Sequence, residues 1–262
     1  MERFVKKLKQ QLILELQSND RKGVYAYTQK VMAYNSNKIE GSTLTSEQTA
    51  SLFDTGTIIT EGDFVLRTRD IEEMTGHFKL FNEVIKSLDL PLTSDLIKKF
   101  HFQLKSGVFF DYANGYPIGE YKNRANLVSD IVTELPQNIP IRISNLLEWY
   151  EGSEKSLADI AKFHAEYEKI HPFQDGNGRT GRAIIFKQCL ESNIVPVIIF
   201  DDEKELYYHA LHAAQVDGDY KRLMRLFENG QNRYYENIKA FLSAEDYTDP
   251  KKAAKRKCDI ER

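Results

Sequence analysis

Cysteine is scarce in this chain, and long apolar runs are missing. The 262 residues include two cysteines, Cys189 and Cys258, which make neither a disulfide framework nor a CxxC metal pair. No stretch approaches the roughly 20 apolar residues that a membrane helix needs. The first residues, MERFVKKLKQQLILELQ, interrupt their apolar positions with charges, unlike a signal peptide. These absences exclude disulfide-rich secreted and membrane-spanning classes, and we expect a cytoplasmic protein.

An excess of charge of one sign is also missing. The formal net charge is −3, with 29% charged and 41% hydrophobic residues, the balance of an ordinary globular protein. Nothing in this balance favours binding to nucleic acid or to a membrane surface. The one basic concentration lies in the tail, residues 242–262, which we expect to be flexible.

What the chain does have is helical periodicity. Apolar residues recur at steps of three and four along 157–170, and Ser156 with Asp159 resembles a capping box at the start of that helix. A second helix is expected to begin in the glycine loop at 176–178 and to end before Asn193 and Pro196. Similar patterns predict helices over 2–17, 20–40, 70–88, 93–105, 143–150, 204–216 and 219–241. The sequence therefore predicts a single, mainly α-helical domain over residues 1–262.

Two segments break the helical pattern. IVPVIIF, residues 194–200, is short and β-branched, which suits a strand or an extended buried connection. Residues 112–129 carry turn signals at Asn114-Gly115, Pro117 and Gly119, and they favour a β-hairpin. Because a lone hairpin is only marginally stable, we expect this one to form a flap over the helical body.

The segment HPFQDGNGRTGR, residues 171–182, contains the spacing G-x-G-x-x-G of a dinucleotide-binding loop. Such a loop follows a buried strand, whereas here a charged amphipathic helix and His-Pro-Phe precede the glycines. A Walker A loop also fails, because Gly-Lys-Ser/Thr is missing. What remains is a glycine-rich loop that feeds a helix N-terminus, which is suited to binding an anion.

The side chains around this loop suggest the chemistry of the anion. Arg179 and Arg182 are three residues apart, so their guanidinium groups could hold two phosphates. Asp175 suits a Mg²⁺ ion that bridges phosphates, and His171 has a pKa suited to a general base. A helix-end histidine and an Asp-Gly-Asn-Gly turn could each be purely structural, but the ordered set favours nucleotide chemistry on a hydroxyl.

HPFQDGNGRTGR resembles the Fic-domain motif, H-x-F-x-[D/E]-G-N-G-R-x-x-R, at every fixed position. The resemblance implies the Fic fold, a helical bundle with a small β-hairpin flap, over about residues 20–230. It also implies transfer of AMP from ATP to a Ser, Thr or Tyr hydroxyl of a target protein, and of the enzyme itself. On this basis residues 1–60 are N-terminal helices and about 70–241 form the Fic core.

The resemblance also implies a role for each site residue. His171 would be the base and Asp175 the Mg²⁺ ligand, Phe173 would anchor the loop, Asn177 would lie near the α-phosphate, and the flap would hold the target side chain. The implied ATP-binding residues are Asp175, Gly176, Asn177, Gly178, Arg179, Thr180, Gly181, Arg182, Tyr207, Tyr208 and Gln215, and those of the flap are Asn126, Leu127, Val128 and Ser129. Gln215 departs from the family, in which we expect asparagine or an acid.

A second segment, SNKIEG at residues 36–41, resembles the Fic inhibitory motif, [S/T]-x-x-x-E-[G/N]. Ser36 and Glu40 share one helix face, and Glu40 lies at the helix end where the dipole disfavours a carboxylate. A cationic partner would offset this, and the resemblance implies that the partner is Arg182. Glu40 would then deprive the γ-phosphate of its clamp and hold the enzyme in an autoinhibited state.

Two groups of alternatives stay open. The same scaffold could transfer UMP, phosphate or phosphocholine, or it could remove AMP with Glu40 positioning a water molecule. A regulatory or toxin–antitoxin binding module with little turnover belongs to a different class of function. The expected partners are ATP with Mg²⁺, a target protein and further copies of the chain. No feature indicates nucleic acid or membrane.

Overall fold

Helices dominate the computed structural model, which describes residues 1–58, 65–128 and 131–243. In chain order the helices are α1 Glu2–Ser18, α2 Val24–Ile39, α3 Ser46–Thr55, α4 Thr68–Lys86, α5 Ser94–Lys105, α6 Phe109–Ala113, α7 Ile139–Glu151, α8 Leu157–Ile170, α9 Asn177–Glu191, α10 Lys204–Val216 and α11 Lys221–Ser243. The predicted mainly α-helical fold is confirmed. Within the described residues, no helix combines the length and apolar character needed to span a membrane.

The sequence located most of these helices but missed α3 and α6. α3 has its own start signal, because Thr45 and Gln48 form a capping box with hydrogen bonds in both directions. α6 is five residues long and therefore too short for periodicity to reveal. The predicted capping box of Ser156 and Asp159 is present at the start of α8.

Helix α9 lies at the centre of the bundle, against α2, α4, α5 and α8. Every side chain from Arg179 to Leu190 is buried, so the helix is covered on all sides. Cys189 is one of these residues, as expected for a small buried hydrophobe. Charged side chains in such a helix need partners, because an unpaired buried charge is costly. The contacts of Arg179 and Arg182 are therefore decisive for the site.

The observed strand pair begins at the end of the predicted hairpin segment, 112–129, and continues beyond it. Asn114-Gly115 ends α6, where the Asn114 N–H donates to the Phe110 carbonyl, and no strand is formed there. A two-residue antiparallel pair lies further along the chain, with Leu127–Val128 against Ile131–Val132. Ser129, which the sequence assigns to the flap, lies outside the described residues. Segment 194–200 forms neither a helix nor a strand, and it is the extended buried connection of the two alternatives.

Candidate active site

The loop from His171 to Gly176 joins the end of α8 to the start of α9. His171 caps α8 in the left-handed conformation (φ 53°, ψ 63°), and its N–H donates to the Tyr167 carbonyl at 2.9 Å. Gly176 stands before α9 with φ 84°, a value that favours glycine. The first-turn N–H groups of α9 have no acceptor within their own helix, so they are available to an anion.

Asn177 and Phe173 hold the loop in shape. The Asn177 side chain accepts from the Phe173 N–H and donates to the Phe173 carbonyl, both at 2.8 Å. The Phe173 ring is fully buried and stacks on His101 of α5, with ring centroids 3.9 Å apart. His101 Nε2 also bonds to the Asp175 carbonyl at 3.0 Å. The Asn177 amide is therefore engaged inside the loop, and anion binding is left to the backbone.

Asp175 belongs to a cluster of six charged side chains under the loop, which we call the ionic cluster. Its Oδ2 lies 2.8 Å from both Arg69 Nη2 and Lys105 Nζ. Lys105 is fully buried, with Glu73 and Asp111 also at 2.8 Å. The three carboxylates and three cations of the cluster are Glu73, Asp111, Asp175, Arg69, Lys105 and Arg179.

The pKa values in the ionic cluster follow from these contacts. Burial alone would raise the pKa of Glu73, but the Arg179 guanidinium and the Lys105 ammonium together lower it to about 2. The same two cations, with Arg69, outweigh burial at Asp175 and hold its pKa well below the usual range. Both carboxylates are therefore ionised at neutral pH. No sequence signal identified these residues as a cluster, because three helices supply them: α4 supplies Arg69 and Glu73, α5 supplies Lys105 and α6 supplies Asp111.

The two arginines of the loop face different neighbours. Arg179 is 2% exposed, and its Nη1 lies 2.7 Å from the carboxylate of Glu73 on α4. Arg182 instead faces α2, where its Nε donates to Ser36 Oγ and its Nη2 to the Ser36 carbonyl, both at 2.9 Å. The sequence placed both guanidinium groups on one phosphate chain. In this structure the two guanidinium groups therefore pair with different helices, Arg179 with α4 and Arg182 with α2.

Glu40 completes the surroundings of Arg182. Its Oε1 lies 2.7 Å from Arg182 Nη2. The same oxygen lies so close to Gly178 that a Cβ there would come within 2.3 Å of it. The Glu40 carboxylate therefore lies against the first turn of α9, at the anion site itself. Tyr208 braces this helix end, since its hydroxyl donates to the Ile39 carbonyl at 3.2 Å.

His171 is neutral at physiological pH in this structure. Burial, and then the positive charge of Lys122, lower the pKa of its imidazole to about 4. Its Nδ1 lies 3.4 Å from the Glu168 carbonyl, at the long end of the hydrogen-bond range. A neutral imidazole can accept a proton, as a general base must.

Residues 91–189 match the Fic/DOC family. The matched residues include the loop from His171 to Gly176 and helix α9 as far as Cys189. It is similar to two curated proteins named protein adenylyltransferase Fic, one from Nematostella vectensis (26% identity over 223 residues) and one from Drosophila willistoni (28% over 205 residues). The alignments cover 84% and 76% of this chain, but 49% and 39% of the relatives. The chain therefore spans less than half the length of these relatives.

Two solved structures support the Fic fold. Fic-1 from C. elegans aligns with a TM-score of 0.67 and 20% identity, over 91% of this chain and 73% of that one. A Fic domain containing signaling protein from Bacteroides thetaiotaomicron aligns with a TM-score of 0.66 and 23% identity, over 89% of each chain. At these identities the likeness concerns the fold alone.

Three residues predicted to bind the adenosine, Tyr207, Tyr208 and Gln215, hydrogen-bond to other groups of the protein in this structure. Tyr207 is buried, with its hydroxyl 2.7 Å from His164 Nε2. Gln215 donates from its amide to the Ala165 carbonyl of α8. Tyr208 is the more exposed of the two tyrosines, and it adjoins the end of α2. Contacts of these three residues with adenosine stay predictions, as does the flap role of Asn126, Leu127, Val128 and Ser129.

Proposed function

We propose that this chain is a Fic-type protein adenylyltransferase that transfers AMP from ATP to a hydroxyl of a target protein and of itself. One observation carries the proposal. The Glu40 carboxylate lies on the first turn of α9, 2.7 Å from Arg182, so an anion already occupies the site that a nucleotide phosphate needs. The same contact supports autoinhibition, because phosphate and Glu40 compete for one guanidinium.

In the proposed reaction a target hydroxyl attacks the α-phosphorus of ATP. His171 takes the hydroxyl proton, the new O–P bond forms, and the bond between the α-phosphorus and its bridging oxygen to the β-phosphate breaks, which releases pyrophosphate. The backbone N–H groups of Asn177 and Gly178 stabilise charge on the phosphates, and Arg182 holds the γ-phosphate once Glu40 has left. The neutral imidazole of His171 supports its role as the base.

Asp175 is the proposed Mg²⁺ ligand. Its Oδ1 accepts one hydrogen bond, from the Gly176 N–H, and therefore keeps a lone pair for a metal ion. Its side chain is also the most exposed of the three carboxylates in the ionic cluster. When bound, Mg²⁺ would neutralise charge on the phosphates. Lys105 and Arg69 hold the carboxylate in place through Oδ2.

Arg179 has a more structural role in this proposal than the sequence indicated. Its guanidinium joins Glu73 and Asp175, and Thr180 donates to the Gly176 carbonyl within the helix. These contacts support a role in holding the loop. Gly181 packs against α8, where a Cβ would lie 2.4 Å from the Glu168 carboxylate. Nucleotide base recognition is proposed for Tyr208, Tyr207 and Gln215, and target binding for the strand Leu127–Val128 and its turn.

Intact-mass measurement of the purified chain after incubation with ATP and Mg²⁺ tests the reaction. The Glu40→Gly variant should gain the mass of AMP, and His171→Ala in that background should not. A gain of phosphate, UMP or phosphocholine with the corresponding donor would identify a different transfer on the same scaffold. Nucleotide binding without any covalent product, from the chain or from an offered target, would favour a regulatory binding module.

A further inference from the structure

Lys122 is a buried cation that the proposed reaction leaves without a role. The residue is 2% exposed, and burial lowers the pKa of its ammonium to about 8. No carboxylate pairs with it among residues 1–58, 65–128 and 131–243. Glu134 is the acid that acts on it from a distance. A buried lysine without an ion-pair partner is costly, which calls for a functional reason.

Lys122 ties together the two ends of the hairpin. Its Nζ donates to Asn126 Oδ1 at 2.6 Å, immediately before the first strand. It also donates to Thr133 Oγ1 at 2.8 Å, immediately after the second strand. Thr133 Oγ1 in turn lies 2.7 Å from the Asn126 carbonyl. One ammonium therefore fixes the spacing of the strands at their base.

The backbone on either side of His171 is bound to the same two ends. The Lys122 N–H donates to the Pro172 carbonyl at 2.8 Å, and the Glu134 N–H donates to the Ile170 carbonyl at 3.3 Å. His171 is thus bracketed by the segments that enter and leave the hairpin. A change at Lys122 would be transmitted directly to the position of His171.

The charge of Lys122 also acts on the imidazole of His171. Two carboxylates act on His171 through their charge, Glu40 at the C-terminal end of α2 and Asp175 in the same loop as His171, and both raise the pKa of its imidazole, as does the Glu168 carbonyl of α8. Lys122 is the cation that opposes them. A bound triphosphate adds several negative charges, which also favour a protonated imidazole. Protonation would remove the base, so an opposing cation has a clear use.

We infer that Lys122 is a positioning residue for His171: it fixes the hairpin against the His171 loop, and its charge, together with burial, opposes protonation of the imidazole beside a bound triphosphate. The inference rests on the proposed function, because it assigns His171 the role of base. Lys122 itself touches neither nucleotide nor target hydroxyl in this role.

Histidine NMR titration tests the charge effect without requiring turnover. The His171 resonance is assigned from its loss in His171→Ala, and its titration is compared in wild type, Lys122→Met, Lys122→Gln and Lys122→Arg. Met and Gln should move the midpoint upward from about 4, whereas Arg should leave it near the wild-type value. Gln retains a hydrogen-bond donor, so it remains informative if Met does not fold. Lys86→Met removes a charge at an exposed position and should have no effect.

A pH–rate profile in the Glu40→Gly background gives the second measurement. Lys122→Gln should shift the acidic limb of kcat upward in pH, and Lys122→Arg should restore it. A merely structural role would lower the rate at every pH and leave the limb in place. Unchanged titration and an unchanged acidic limb in folded Lys122→Met or Lys122→Gln would overturn the inference. Absence of AMP transfer by Glu40→Gly itself would instead overturn the proposed function, and the NMR titration would still measure Lys122.

Discussion

Replacing Glu40 with glycine should release AMP transfer, because the carboxylate competes with phosphate for Arg182. The contact is one charge-assisted hydrogen bond of 2.7 Å, with the arginine side chain 5% exposed and the glutamate 29%. Such a bond contributes about 1.5–3 kcal/mol, more than an exposed ion pair at about 0.2–1 kcal/mol. Arg182 Nε and Nη2 both donate to Ser36, and Nη2 also donates to Glu40. Glu40 accepts through one oxygen, Oε1.

From that range we take about 2 kcal/mol as the free energy of the Glu40–Arg182 contact, which the substitution removes. At about 1.36 kcal/mol for each factor of ten, this corresponds to an increase of about 30-fold in the rate of self-modification. The assay is the initial rate of AMP incorporation, followed by intact mass at fixed ATP and Mg²⁺. Arg182→Ala should cancel the gain in the double variant, because the γ-phosphate then has no clamp.

Two variants control for other effects of this substitution. Glu151→Gly places glycine at another exposed helix end and should leave the rate unchanged. Glu40→Gln keeps the size of the side chain but removes its charge, so it should release part of the gain. Thermal unfolding of each variant shows whether the fold is intact. A Glu40→Gly protein that is folded, binds ATP and transfers AMP at the wild-type rate would refute autoinhibition by Glu40.

Other outcomes follow from the site and the core. His171→Ala should abolish transfer while ATP binding, measured by calorimetry, persists; parallel loss of both would contradict its role as base. Asp175→Ala should lower the rate steeply with little rescue by excess Mg²⁺, whereas wild-type activity in EDTA would remove the metal from the scheme. At low ATP, where the rate reports the free enzyme, the wild-type rate should hold from pH 8 to about 5, because the pKa of His171 is about 4; a decline centred near 6.5 would disagree. Gly76→Ala should destabilise the fold by about 1–3 kcal/mol in urea denaturation, since its Cβ would lie 1.9 Å from the Leu104 carbonyl, and Gly152→Ala, with 3.7 Å of room, should not.

The sequence determined the local features of this protein. Periodicity and capping signals located α8 and α9, because helix formation depends on residues three and four apart. The motif from His171 to Arg182 is continuous, so its order alone indicated a phosphate-binding loop with a base. The partner of Glu40 came from family resemblance and not from any local rule.

Tertiary structure alone decided which charged groups meet. Arg179 and Arg182 are three residues apart in the sequence, yet one faces Glu73 of α4 and the other faces Ser36 and Glu40 of α2. Lys105 likewise joins acids on three separate elements. Each helix presents polar positions that suit solvent equally well, and periodicity carries no information about partners as far away as those of Arg179 and Arg182, which lie 106 to 146 residues along the chain. Burial of α9 on all sides removes solvent as an alternative, and these charges then have to pair with whichever opposite charges the packed helices bring within reach.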